Sequence, residues 1–152
     1  MDLIIWRHAD ASDAADGISD DERELTDKGR RQAKLMAAWL NKRLPADTVV
    51  LVSPAVRAQH TAKALERSYT TSAALDTRTD CVTLLKAAGR PKAGGTVLVV
   101  GHQPTLGRVA SLLLTGVEGD LSVKKGAVWW IAVCHARGGT GVLRAVMTPD
   151  ML

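Results

Sequence analysis

Three stretches of the 152-residue chain end on side chains able to do chemistry. The apolar run "LIIW" at residues 3–6 leads directly into Arg7 and His8. A second, "TVVLVS" at 48–53, is followed by Pro54 and, one helical turn on, by Arg57. A third, "GGTVLVVGH" at 94–102, ends on His102. Arginine offers a planar fork of donors and a permanent charge that match phosphate oxygens bidentately. Two arginines can therefore bind the non-bridging oxygens of a phosphoryl group and stabilise their charge during transfer. A neutral histidine nitrogen can attack phosphorus and carry the group covalently until water cleaves it. That role requires the other ring nitrogen to be held as N–H by an acceptor such as a backbone carbonyl. A second histidine, when protonated, adds a donor to the developing charge. Chemistry of this kind needs no metal. Each of these residues alone is ordinarily structural, and Arg7 could pair with an acid in the loop that follows it; their shared placement at strand ends carries the reading.

The elements that must position them can be read from periodicity. Residues 2–6 suit a strand buried on both faces. Residues 9–25, rich in aspartate, read as a loop. Thr26 is a candidate N-cap for a helix whose apolar positions Ala33, Met36, Ala37 and Leu40 recur at helical spacing, widened by Leu35 and Trp39, stopping near Leu44-Pro45. Residues 48–53 form a second buried strand. Pro54 then opens a helix capped by Ser53 that runs to about residue 67. A weak strand is expected at 73–75 and a short helix at 82–88. Residues 94–102 form the clearest strand, feeding a helix that begins at Pro104 and ends near Thr115-Gly116. The tail reads as two strands, 127–136 and 142–148, joined by the Gly-rich turn "RGGTG".

Alternating strands and helices followed by a hairpin predict one α/β domain over 1–152. It is a three-layer α/β/α sandwich with a mostly parallel sheet and an antiparallel edge. In such a sheet ligands bind outside the carboxyl ends of the strands, beside helix N-termini suited to anions. Arg7, His8, Arg57 and His102 should meet there.

Composition narrows the rest. Apolar residues at 46% and charged residues at 24% match an ordinary globular protein, and no apolar run reaches the ~20 residues that span a bilayer. Asp2 and the short apolar run do not resemble an export signal, so the expected setting is the cytoplasm, without a membrane partner. Cys81 and Cys134 belong to no C-x-x-C pattern and read as reduced thiols. A net charge of +4 favours anionic ligands, but the basic pairs lack interleaved aromatics, so nucleic acid is not expected. Without an H-E-x-x-H or Cys/His cluster, neither metal nor cofactor is expected. His60 and His135 read as solvent-facing. Trp129 and Trp130, adjacent in a strand, should face opposite ways.

The motifs have a familiar order. Arg7-His8-Ala9 resembles the R-H-G signature of the histidine phosphatase (phosphoglycerate mutase-like) superfamily. Residues 51–62, "LVSPAVRAQHTA", resemble its S-P-x-x-R-A-x-x-T-A element, and "VVGHQP" its second-histidine element. "RHADA", "RELTDKG", "KKGAVWWI" and "MTPDML" extend the resemblance to the phosphohistidine phosphatases of the SixA type. The resemblance implies that His8 accepts the phosphoryl group, that Arg7 and Arg57 bind its oxygens and that His102 completes the substrate pocket.

There are two departures. Ala9 stands where the family has glycine, which would strain the backbone if that position needed a positive φ. The proton-donating carboxylate is also missing: Gln103 follows His102, and Thr77 falls where an L-x-E glutamate would be, leaving Asp10, Asp76 and Asp80 as weak substitutes. An alcohol leaving group suffers without general acid help, worth about 10²–10⁴-fold, whereas imidazole can take its proton from solvent. An N–P substrate is therefore expected: phosphohistidine on a phosphorelay or phosphotransfer protein, docking on an open pocket with Lys124 and Lys125 available to steer an acidic partner. Two alternatives remain. One is a broad or small-metabolite phosphomonoesterase of the same superfamily; the other is a non-catalytic phosphate-binding module.

Overall fold

Side chains alternate along β1 (Asp2–Arg7) as a central strand requires. Leu3 and Ile5 enter one apolar cluster, Ile4 and Trp6 the other, and all four are fully buried. The computed structural model describes residues 1–89, 95–134 and 139–152. The other strands are β2 (Val49–Val52), β3 (Thr70–Thr71), β4 (Thr96–Gly101), β5 (Val128–Val133) and β6 (Gly141–Met147). They form one sheet in the order β3-β2-β4-β1-β5-β6. Pairings among the first four strands are parallel, and β5 and β6 are antiparallel.

Helices α1 (Asp27–Asn41) and α2 (Val56–Lys63) cover the Ile4/Trp6 face, with Met36, Leu40, Ala58 and Ala62 in that core. Helices α3 (Cys81–Ala87) and α4 (Thr105–Thr115) cover the Leu3/Ile5 face through Leu84, Leu106 and Val109. This is the expected three-layer sandwich. No described helix is long and apolar enough to cross a membrane.

Local chemistry explains most boundaries. Thr26 caps α1, its Oγ1 accepting from Gly29 N at 3.0 Å. A Cβ on Gly29 would lie 1.9 Å from the Asp10 carbonyl oxygen, so the tight seat of α1 against the loop after β1 requires glycine. Leu35 is exposed and takes no part in the buried stripe; Trp39 is half-buried beneath the Arg43 guanidinium, 4.4 Å from its ring centre. Trp129 and Trp130 do face opposite cores.

Three expectations fail locally. Helix α2 starts at Val56 behind Ala55, not at Pro54, because the turn out of β2 takes two further residues. It ends at Lys63, well short of 67, and at Glu66 the backbone turns left-handed at φ 54°. Residues Ala73–Leu75 form a 3₁₀ turn capped by Ser72, and the strand lies earlier, at Thr70–Thr71 beside Leu51 and Val52. A two-residue strand has no alternation to read. His135 and the first two residues of the "RGGTG" turn lie outside the described residues.

Candidate active site

Strand register brings the chemistry-bearing residues to one level. Arg7 pairs with Gly101 across β1 and β4, and Val52 with Val100 across β2 and β4. The next residues therefore line up. His8 N donates to Gly101 O at 3.1 Å and Ser53 N to Val100 O at 3.0 Å. From the other side the turn before β5 clamps the end of β1: Gly126 N donates to His8 O, and Arg7 N to Ala127 O, each at 3.0 Å. Gly126 has φ +76°, and that left-handed turn allows its N–H to reach back.

The four expected residues meet here. The ring centres of His8 and His102 lie 5.3 Å apart, and His8, His102 and Arg57 are all buried. His8 Nδ1 lies 2.8 Å from the Ala9 carbonyl oxygen. A carbonyl only accepts, so Nδ1 carries the hydrogen and Nε2 keeps its lone pair. His102 is fixed through Nε2, which lies 2.7 Å from Ser53 Oγ, while its Nδ1 is buried without a partner.

The arginines are held from their ends. Arg7 Nη1 donates to Val123 O at 2.9 Å. Arg57 Nη1 and Nη2 donate to the Asp20 carbonyl and Oδ2 at 2.7 and 3.1 Å. Each guanidinium is left with a buried, unpartnered Nε, one half of the side-on fork that suits a phosphate.

Burial dominates the electrostatics. It pushes His8 down to about 3, against the Ala9 hydrogen bond that favours the cation, with the charges of His102, Arg57 and Arg7 adding to the fall. Burial and then Arg57 bring His102 down to about 4, opposed by Asp20 and Asp76. Both rings are neutral at neutral pH. The arrangement joins a free imidazole lone pair to two permanent cations, which can bind a tetrahedral anion and attack its centre.

The other candidates are committed elsewhere. Asp10 is bonded to Thr26 Oγ1 and Lys125 Nζ and lies below the usual carboxylate range, chiefly through the Thr26 bond. Asp80 caps α3 through Thr83 N. Asp76 accepts from Arg78 N, though its charge is felt at His102. Gln103 bridges Gly107 N and Leu121 O and so anchors α4. Lys124 is exposed. His60 is half-buried instead of facing solvent, and burial lowers it, with Arg30 adding to the fall. Cys81 is buried, and burial raises its thiol to about 12. No cluster suited to a metal occurs among the described residues.

Ala9 is accommodated. Its backbone is not left-handed, its N–H reaches Thr61 Oγ1 at 3.0 Å, and its methyl packs with Leu25 and Ala33. Sequence reasoning missed two partners, Ser53 for His102 and Asp20 for Arg57. The strand-end position that Ser53 shares with His102 was the available signal. Asp20 offered none, being one aspartate among several in an irregular loop.

Comparison with known proteins agrees with this geometry. The model of the histidine phosphatase superfamily (branch 1) matches residues 3–80. The phosphohistidine phosphatase SixA of Escherichia coli is 34% identical over 124 residues, 76% of each chain. An uncharacterised protein of Mycobacterium tuberculosis is 35% identical over 123 residues, 74% of this chain and 72% of that one. A solved structure of the protein histidine phosphatase SixA complexed with tungstate superposes with a TM-score of 0.81 at 27% identity, covering 99% of both chains. From strand ends to sheet order, and now by sequence kinship, the chain belongs to the histidine phosphatase superfamily as a SixA-type phosphatase.

Proposed function

We propose that the protein removes phosphate from phosphohistidine on a phosphorelay or phosphotransfer protein. His8 is the nucleophile, Arg7 and Arg57 bind the phosphoryl oxygens, and His102 donates to one of them. The observation that carries this reading is the 2.8 Å contact from His8 Nδ1 to the Ala9 carbonyl, because it fixes the tautomer whose Nε2 can attack. Nε2 forms a bond to phosphorus as the N–P bond of the substrate breaks, and the leaving imidazole takes a proton from solvent. Water then attacks the phosphohistidine on His8, releases inorganic phosphate and returns the electron pair to Nε2. With the Ser53 hydroxyl donating its hydrogen bond to Nε2 of His102, the ring's own hydrogen stands on Nδ1, a neutral donor toward the developing charge.

The carboxylates support this substrate class. Asp10 and Asp80 are tied to structural partners and held below the usual carboxylate range, so neither is suited to protonate an alcohol. Imidazole does not need them. The tungstate bound by the SixA relative supports a tetrahedral oxyanion as the pocket's guest. A relay protein as partner implies a cytoplasmic setting. Comparing turnover of a phosphoramidate with that of phosphate monoesters tests the reading: the N–P substrate should be preferred by at least about a hundredfold. High turnover of monoesters with none of N–P bonds would overturn it in favour of a phosphomonoesterase.

A further inference from the structure

Arg57 is only 4% exposed, yet both of its terminal nitrogens bond to Asp20, whose side chain is 60% exposed. The other carboxylate oxygen, Oδ1, accepts from Arg23 Nε at 3.0 Å. Arg23 Nη1 in turn donates to Ser12 O at 2.9 Å, and Ser12 N donates to Glu24 O at 2.8 Å. The bridge between Ala11 and Leu25 closes the base of this arm. Asp20 is thus held at both carboxylate oxygens by two arginines, at the tip of an arm tied to itself.

Such a contact could serve either of two purposes. As an internal anion, Asp20 would compete with substrate for Arg57. As a fixed support, it would orient Arg57 and leave the rest of the guanidinium for substrate. The geometry separates them. Asp20 takes the end-on edge, Nη1 and Nη2, while Nε stays buried without a partner. The side-on fork of Nε and the second Nη2 hydrogen therefore survives the contact. A carboxylate pinned by Arg23 as well is poorly built for swinging away on each turnover. With both terminal nitrogens held by acceptors, the buried guanidinium keeps one rotamer.

We propose that Asp20 is a positioning residue: through its carboxylate and carbonyl it fixes the end of Arg57 so that the Nε side meets the phosphoryl group. The proposal rests on the phosphoryl reading of the site. Arg23 extends the same support one step outward, and the arm of residues 9–25 belongs to the active site as scaffolding.

The test is tungstate binding by calorimetry to the wild-type chain, Asp20→Asn and Asp20→Ala at one ionic strength. Both variants lose the negative charge equally, so they isolate the acceptor oxygen. Asp20→Asn, which keeps that oxygen, should bind about tenfold more tightly than Asp20→Ala, and the Asp20→Ala loss on a phosphoramidate should fall on kcat as well as KM. Asp20→Ala binding as tightly as Asp20→Asn, or more tightly, overturns the proposal, with tightening pointing to competition. Failure of the wild-type chain to bind tungstate overturns the phosphoryl reading itself, so the two failures are distinct.

Discussion

Ser53 Oγ lies 2.7 Å from Nε2 of His102, so a hydroxyl at the end of β2 fixes a ring delivered by β4. The same oxygen accepts Ala55 N–H at 3.2 Å, which holds it in place. Replacing Ser53 by Ala frees His102 to rotate and to place its hydrogen on either nitrogen. Turnover of a phosphoramidate should fall about tenfold in kcat/KM, with recovery in Ser53→Thr. Steady-state kinetics of the two variants check this; Ser53→Ala at wild-type rate would contradict it.

The buried imidazoles make the fold sensitive to acid. Burial brings His8 and His102 down to about 3 and about 4 in the folded chain, against about 6.5 when unfolded. Between those limits the unfolded chain binds protons that the folded chain excludes, so stability rises with pH across the window. The stabilisation is complete above about pH 6.5 and is lost as pH falls to about 3. Carboxylates contribute with the same sign, so the test is a difference: the thermal midpoint should drop less between pH 7 and about pH 4.5 in His8→Gln than in the wild type. Equal drops would show that His8 is not the excluded proton site.

Gly29 probes the joint between the site loop and α1. An added methyl would sit 1.9 Å from the Asp10 carbonyl oxygen, a backbone atom that cannot rotate aside. Gly29→Ala should cost at least about 2 kcal/mol despite alanine's better helix propensity. Denaturant midpoints measure it, and a neutral or stabilising result would mean that α1 seats differently on the loop.

Legibility in the sequence tracked physical constraint. β1 and β4, buried on both faces, announced themselves as apolar runs, and Thr26 was readable as a cap because it precedes a helical stripe. The ends of β1 and β4 point to Arg7, His8 and His102, and the turn after β2 points to Arg57; the fold brings these four residues together. What escaped depended on three dimensions. Ser53 looked like a helix cap because the register that sets it beside His102 is a property of the sheet. Asp20 reaches Arg57 across 37 residues through an irregular arm, and no local pattern encodes that. Residues Ala73–Leu75 read as a strand because a run of three apolar residues suits either state.

The proposed mechanism depends on His8 as the phosphoryl acceptor. Incubating the protein with a reactive small-molecule phosphoramidate and quenching in base measures it directly by mass spectrometry. The mechanism requires one acid-labile phosphate on His8, absent in His8→Ala and retained on His8 when His102 is replaced by Ala. Wild-type protein that hydrolyses the donor with no label on His8, or with label elsewhere that persists in His8→Ala, would contradict it.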